Sequence, residues 1–254
     1  MRLRLVSFNI HHGEGAGGDH SLEAQARLLR ELEADIAFLQ EVDSGTARSG
    51  RLDQAAFLAE RSGLPFHVFG KNMDMDGGDY GNAILSRFEL TWGAHYVIPA
   101  HEPYLPRLFE RTGEYYLPEP RGLLRAETRI GGASCTLLNG HFGFLKSELT
   151  EGVDAVLALL KRMDRPVLFG ADMNTLDSNA PELVRLSESM IDCAAAMNQQ
   201  AVATYPSDDP VERLDYLLAR GTFSVVRFDV VPTRTSDHRP VVADIETEVD
   251  SPSG

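Results

Sequence analysis

Polar and apolar residues alternate over residues 2–10, the pattern of a strand with one buried face. A Gly-rich loop follows to Asp19, and Ser21 stands where a helix cap would. Leu22, Ala26, Leu29 and Leu32 then recur at helical spacing, which predicts a helix to about Glu33. Ile36-Ala37-Phe38-Leu39-Gln40 reads as a short apolar strand, with Glu41 directly after it. Asp53 is placed to cap a second helix through Ala56, Phe57 and Leu58, and Gly63 to stop it. Residues 66–70, 82–86 and 90–98 read as strands, and the acidic, Gly-rich 74–79 as a loop. Two further strands, 123–130 and 134–139, flank Gly131-Gly132, a hairpin signal. The pattern then predicts a helix over 147–161, a strand over 167–169 that stops at Gly170, and a helix over 181–190. Three late strands follow at 214–218, 223–231 and 240–245.

Some of these strands alternate with helices and others are joined by hairpins. A purely parallel, doubly wound sheet does not fit that mixture. Two sheets packed face to face, with helices outside, fit it better, and the class is α/β. No linker interrupts the pattern, so one domain over 1–254 is expected. Residues 99–120 differ in composition: five prolines accompany His101, Tyr104, Phe109, Tyr115 and Tyr116. They read as an insertion, expected to contact and select the substrate, with an ordered loop on the sheet edge as the alternative. The polar tail after 247 is expected to fray.

Composition narrows the class. Of 254 residues 43% are apolar and 24% charged, ordinary for a globular protein, and the formal net charge is −14. That field disfavours duplex DNA, whose non-specific binding needs several Lys or Arg at phosphates. No stretch approaches a membrane span, and the first residues lack the apolar core of a signal peptide, so a cytoplasmic location is expected. Cys135 and Cys193 lie in apolar surroundings and read as buried free thiols.

The candidate chemistry lies where apolar runs end. Asn9, Glu41, Asn82, His141, Asp172, Asn174, Asp215, Asp237 and His238 all fall at or just beyond such a run. Asp237-His238, just before the last strand, is either a carboxylate–imidazole pair able to move a proton near neutral pH or a solvated turn. Glu41 at a strand rim is either a ligand for a hard cation or half of a salt bridge. With no His/Cys cluster at zinc spacing, Mg²⁺ or Mn²⁺ is the expected ion. Asp172 and Asn174 project to one face if the backbone stays extended; the alternative is an Asx turn. Asp215 either stands behind His238, fixing its tautomer and raising its pKa, or pairs with Arg213. His141 is a second imaginable phosphate-side imidazole or a structural histidine.

Seven stretches occur in one order: Ser7-Phe8-Asn9-Ile10, Leu39-Gln40-Glu41-Val42-Asp43, Tyr80-Gly81-Asn82-Ala83-Ile84-Leu85-Ser86, Asn139-Gly140-His141, Gly170-Ala171-Asp172-Met173-Asn174, Arg213-Leu214-Asp215-Tyr216 and Ser236-Asp237-His238. Together, over residues 3–246, the chain resembles the endonuclease/exonuclease/phosphatase superfamily, the DNase I-like fold. The resemblance implies a four-layered α/β/β/α sandwich of two mixed, mainly antiparallel sheets. It implies Mg²⁺- or Mn²⁺-dependent hydrolysis of a phosphate ester at one end of the sheets. Glu41, Asn9 and Asp237 would lie at the metal. Asp172 would position the attacking water, His238 and Asp215 would act as a pair, and His141 would be a second catalytic imidazole. Asn174, Asn82 and Arg125 are the residues expected to bind the substrate. In two-histidine nucleases of this kind a carboxylate backs the first imidazole; here that position is Asn82, which puts a general-acid role for His141 in doubt. Charges from Pro99 through Arg125 balance at four against four, so this stretch is no basic arm. The leading expectation is a phosphodiesterase or phosphatase acting on a small or lipid-derived ester. A nuclease is the alternative, and a non-catalytic interaction module is disfavoured because the site residues are present.

Overall fold

The computed structural model describes residues 1–100 and 119–247, together with the backbone of 107–108 and 115–116. Most of the 99–120 insertion and the tail after 247 therefore lie outside the described residues. In chain order the elements begin with β1 (Arg2–Asn9), a 3-10 turn (His11–Gly13), α1 (Leu22–Glu31), β2 (Ile36–Ser44) and α2 (Gln54–Ser62). β3 (Phe66–Met75), β4 (Gly78–Ser86) and β5 (Thr91–Ile98) follow, then the two-residue strands β6 (Arg107–Leu108) and β7 (Tyr115–Tyr116), which pair antiparallel. Next come β8 (Arg121–Ile130), β9 (Ala133–His141), α3 (Lys146–Leu160), β10 (Val167–Asp172) and α4 (Pro181–Ser187). The chain continues through β11 (Ile191–Asp192), α5 (Cys193–Ala196), β12 (Asp215–Arg220), β13 (Phe223–Val230) and β14 (Val241–Thr247).

Two six-stranded sheets form, in the orders β13-β14-β1-β2-β4-β3 and β11-β12-β10-β9-β8-β5. Each has one parallel pair at its centre, β1 with β2 and β9 with β10; the other neighbours are antiparallel. Strand alternation divides the apolar residues into three layers. Leu5, Phe38, Ile84, Leu124, Leu137, Leu168 and Leu217 fill the space between the sheets. Phe8, Leu39 and Leu85 turn outward under α1 and α2, whose Ala26, Leu29 and Leu58 cover them. Leu138, Phe169 and Leu218 turn outward under α3 and α4, beneath Val153, Val156 and Leu186. Each such side chain, fully buried, contributes roughly 1.5–3 kcal/mol. The result is the expected four-layered α/β/β/α sandwich. At Gly170 the sheets come so close that an added Cβ would lie 2.5 Å from the Phe38 side chain. Among the described residues no helix is long and apolar enough to cross a membrane.

Local expectations fared unevenly. Asp53 does cap α2, accepting from the Ala56 backbone at 3.0 Å, and Gly63 ends it in the left-handed region. The loop expected over 74–79 is instead a hairpin. Asp76 and Gly77 both have positive φ (47° and 73°), and Met75 pairs directly with Gly78. A two-residue turn with both central residues left-handed matches strand twist, and Asp-Gly is its favoured sequence. β10 does not stop at Gly170 but continues to Asp172, because small residues pair as well as large ones where the backbone is buried. The helix expected to reach Met190 ends at Ser187.

Cys135 and Cys193 are buried and free, and burial pushes both thiols up to about 12. Neither thiol should therefore react with a disulfide reagent at pH 8 until the protein unfolds. Labelling of the native protein at a rate independent of denaturant would contradict this burial.

Candidate active site

Register, more than any single residue, assembles the site. β1 and β2 run parallel, with Asn9 opposite Gln40; β9 and β10 run parallel, with His141 opposite Asp172. β12 runs antiparallel to β10, so its first residue, Asp215, also falls opposite Asp172. Leu137, Leu168 and Leu217 are core residues between the sheets, and the period of two puts His141, Asp172 and Asp215 on that same inner face. β14 begins at Val241 opposite Ser7, which delivers Asp237 and His238 to the same end. Behind them Gln40 and Asn139 bond across the sheets at 2.7 Å, and the Asn139 amide donates to Leu39 and Ala83 carbonyls.

Glu41 is the exception to alternation, and the exception aims it. Phe38 and Gln40 face inward, so an unbroken strand would point Glu41 outward. The pairing of β2 with β4 shifts between Leu39 and Val42, and Glu41 has φ 58°. This is a bulge, which inserts an extra residue and redirects a side chain. Val42 then resumes the outer face with Leu39. The Glu41 side chain is 18% exposed, and its Oε1 lies 3.1 Å from Asn9 Nδ2 and 3.8 Å from His141 Nε2. Burial opposes its ionisation; His141 where protonated, Arg121, His11 and the Asn9 amide work the other way and hold the carboxyl below its usual range.

Asp172 is fully buried at the centre. Its Oδ2 accepts from Asn9 Nδ2 at 3.0 Å and lies 3.6 Å from His141 Nε2 and 3.8 Å from His238 Nε2. Burial is the main cause that raises its pKa to about 7, with His238 opposing and Asp215 adding. His238 Nδ1 bonds Asp215 Oδ2 at 2.9 Å. Burial works against protonating His238, yet Asp215 and Asp172 outweigh it and raise its pKa well above the ordinary value. The pairing of Asp215 with Arg213 does not form: Arg213 goes to Asp192 at 2.8 Å. His141 is held well below the ordinary value by burial and by Arg121, so its ring is neutral near pH 7. Asn174 Nδ2 lies 3.0 Å from His141 Nε2, which assigns that nitrogen as acceptor. The proton then sits on Nδ1, which has no hydrogen-bond partner among the described residues.

Of three further placements, Asn174 takes the alternative that the sequence offered. Asn174 has φ 47°, and its N–H donates to Asp172 Oδ1 at 3.0 Å. The backbone is thus an Asx turn, not extended, and it still brings Asn174 beside His141. The Asn82 amide donates to the Gly122 carbonyl at 2.9 Å and does not bond His141. Arg125 is not brought to the site. It points to the outer face of β8, 3.4 Å from Glu127, and lines a cavity of about 890 Å³ against α3. Four residues along a strand is about 13 Å. Arg121, at the strand's first position and 6% exposed, is the arginine near the site, 3.3 Å from the Tyr80 hydroxyl. Sequence reasoning also missed Tyr205, whose ring centroid is 4.9 Å from that of His238. Its loop is laced to the Asp237 loop by Ser207 N–H to the Asp237 carbonyl at 2.6 Å and Ser207 Oγ to the Ser236 carbonyl at 2.7 Å.

Two groups could hold a cation. Asp172, Asp215 and His238 offer ligand atoms within 4.8 Å of one another, but His238 Nδ1 is already engaged with Asp215. Glu41 is the better fit: a hard oxygen donor, held ionised and partly open to solvent. Asp237, 31% exposed, is the other open carboxylate at this end. The Asn9 oxygen accepts from the His11 N–H at 3.0 Å, which can only donate, so the Asn9 amide nitrogen must face Glu41 and Asp172.

The similarities to known proteins follow the same lines. YbhP of Escherichia coli K12 is 26% identical over 264 residues, covering 96% of each chain. An endonuclease/exonuclease/phosphatase from Beutenbergia cavernae matches the fold with a TM-score of 0.71 at 22% identity, over 97% of this chain and 72% of that one. A mannosyl-6-phosphatase of Bacteroides thetaiotaomicron matches with a TM-score of 0.67 at 16% identity, over 96% and 99%. The sequence pattern of the Endonuclease/Exonuclease/phosphatase family matches residues 6–238, from just before Asn9 to His238 itself. With that span matched and those strand ends assembled, the chain belongs to the Endonuclease/Exonuclease/phosphatase family of phosphoester hydrolases.

Proposed function

We propose that the protein hydrolyses a small or lipid-derived phosphate ester by in-line attack of water, with Mg²⁺ or Mn²⁺ at Glu41 and Asp237. The observation that carries this reading is the convergence on buried Asp172: its Oδ2 accepts from Asn9 at 3.0 Å and lies 3.6 Å from His141 Nε2 and 3.8 Å from His238 Nε2, with Glu41 on the same Asn9 amide at 3.1 Å. A base poised near the working pH is suited to taking a proton from water. Protonated His238, fixed by Asp215, offers positive charge to the oxygens of the transferring phosphoryl group. Phosphoryl transfer needs this positioning and neutralisation more than covalent chemistry. A hard cation at Glu41 would supply further charge neutralisation.

Two roles differ from those the family resemblance implies. Asn9 clamps Glu41 and Asp172 through its amide hydrogens, an orientation fixed by the His11 N–H on its oxygen. Both Asn174 amide hydrogens are also engaged, with His141 Nε2 and the Phe142 carbonyl. An incoming phosphate oxygen would replace one of these two acceptors, so His141 in the resting site positions Asn174.

Arg121→Ala should cost roughly tenfold or more in kcat/KM, while Arg125→Ala should stay within about twofold of wild type. Equal losses in steady-state assays would contradict the placement of Arg121 at the site. The substrate class is tested by assaying the purified protein with Mg²⁺ or Mn²⁺. The panel is bis-p-nitrophenyl phosphate, p-nitrophenyl phosphate, lipid phosphodiesters, and single- and double-stranded DNA. Turnover of small or lipid esters is expected. Preferred, salt-sensitive cleavage of plasmid DNA would instead establish a nuclease.

A further inference from the structure

The 3-10 turn after β1 carries two consecutive histidines in the left-handed region, His11 at φ 46° and His12 at φ 43°. Such a conformation costs a non-glycine residue about 1–3 kcal/mol and persists only where its surroundings fix it. Here they do. The Gln25 amide donates to the Ile10 and Thr235 carbonyls at 2.8 and 2.6 Å, and Gln54 donates to the His12 carbonyl at 2.6 Å. The His11 N–H is held by Asn9 at 3.0 Å. The two rings stack at 4.5 Å, and His11 Nδ1 lies 3.8 Å from Asp237 Oδ1 with no hydrogen-bond partner among the described residues.

His11 and Asp237 line a cavity of about 670 Å³ together with Tyr205, Asp208, Glu14 and Ala16. The cavity thus opens between the candidate cation carboxylate and the tyrosine packed on His238. Its Gly-rich wall is preformed: the Ala16 N–H donates to the Arg234 carbonyl at 3.0 Å, and Gly15 N–H to the Asp19 carbonyl at 2.8 Å. A volume of this order holds a group of one or two rings.

We propose that this cavity binds the alcohol portion of the substrate, and that this alcohol is an uncharged, hydroxyl-bearing group such as a sugar or polyol. The inference rests on the phosphoesterase reading above and adds its substrate class. Beyond the candidate cation ligand Asp237, Glu14 and Asp208 carry carboxylates, which accept hydrogen bonds from hydroxyl groups and repel a second phosphate. Arg234 offsets only Asp208, at 3.0 Å. The Tyr205 ring supplies a flat apolar face of the kind a sugar ring packs against. A nucleic acid strand would bring further phosphates toward these carboxylates, which the same charges oppose.

The test separates binding from turnover. Calorimetric titrations of glucose 6-phosphate and methyl phosphate are made in an Asp172→Asn background with Mg²⁺, so that neither ester is consumed. Glucose 6-phosphate should bind about tenfold tighter or more than methyl phosphate, an effect of two or three added hydrogen bonds. Ala16→Trp, which fills the cavity, should remove that preference, and Glu14→Gln, which keeps the shape, should weaken it. Circular dichroism of both variants should match the parent. Equal affinity for the two esters, or a preference that survives both substitutions, would overturn the proposal. So would tighter binding of a thymidine tetranucleotide that Ala16→Trp abolishes. Failure of the wild type to hydrolyse any ester would contradict the phosphoesterase reading alone, because the titrations report on the cavity without turnover.

Discussion

Glu41→Ala is expected to abolish phosphoester hydrolysis while leaving the protein folded. The two halves of that expectation have separate causes. Activity is lost because the bulge at Glu41 aims its carboxylate inward, where it is the partly open, ionised oxygen donor beside Asn9 and Asp172. Stability is retained because the carboxylate contributes little to it. Glu41 makes one side-chain hydrogen bond, to Asn9, and Asn9 keeps its bond to Asp172 in the variant. The left-handed backbone is already strained with Glu there, so Ala adds no new strain of that kind. A change of about 1 kcal/mol or less in unfolding free energy is expected. Urea unfolding read beside steady-state kinetics measures both. An unfolded variant, or one with full activity, would contradict the placement of the cation.

Removing Asp215 or His238 should each cost on the order of 10²-fold or more in kcat. The double variant should be little worse than the worse single one, because the two act as a unit. Losses that multiply would show that they act independently. The pH profile gives a second reading. The His238 pKa is raised by Asp215 and Asp172, so the protonated ring persists as pH rises past its ordinary value. Activity that needs this proton is lost only as pH rises through the raised value. In Asp215→Asn the raising charge is gone, and the alkaline loss should move to lower pH. A profile that does not move would mean that Asp215 does not set the charge of His238.

The sandwich was legible because its signals are periodic and redundant. Which face buries Leu39, Phe169 or Leu218 was not legible, because those strands are apolar on both sides. The site was partly legible for a related reason: a parallel pair at the centre of each sheet puts the C-terminal ends of β1, β2, β9 and β10 together. Polar residues just past those apolar runs, such as Asn9 and Asp172, therefore meet. What alternation could not show is where it breaks. The bulge at Glu41 and the Asx turn at Asn174 each redirect a side chain through a positive φ; Asn favours that region and the sequence offered the turn as an alternative, whereas nothing about a Glu announces it. The Asp76-Gly77 hairpin did carry its signal, which an acidic, Gly-rich context obscured. Arg125 turns to the outer face of β8 while Arg121 reaches the Tyr80 hydroxyl, and only the start of β8, fixed by pairing of Gly122 with His141, tells which one stands at the end. Tyr205 lies in a loop whose position depends on Ser207 bonding the Asp237 loop, a contact across 29 or more residues that no local pattern encodes.

The central claim is metal-assisted hydrolysis of a phosphate ester at this end of the sandwich. It is tested most directly by stripping the wild-type protein with EDTA and titrating Mg²⁺ back while following release of p-nitrophenol from its phosphate mono- and diesters. No turnover is expected in EDTA, with a saturable return on adding Mg²⁺ that is absent in Glu41→Ala. Undiminished turnover in EDTA, or a Mg²⁺-dependent rate equal in wild type and Glu41→Ala, would contradict it.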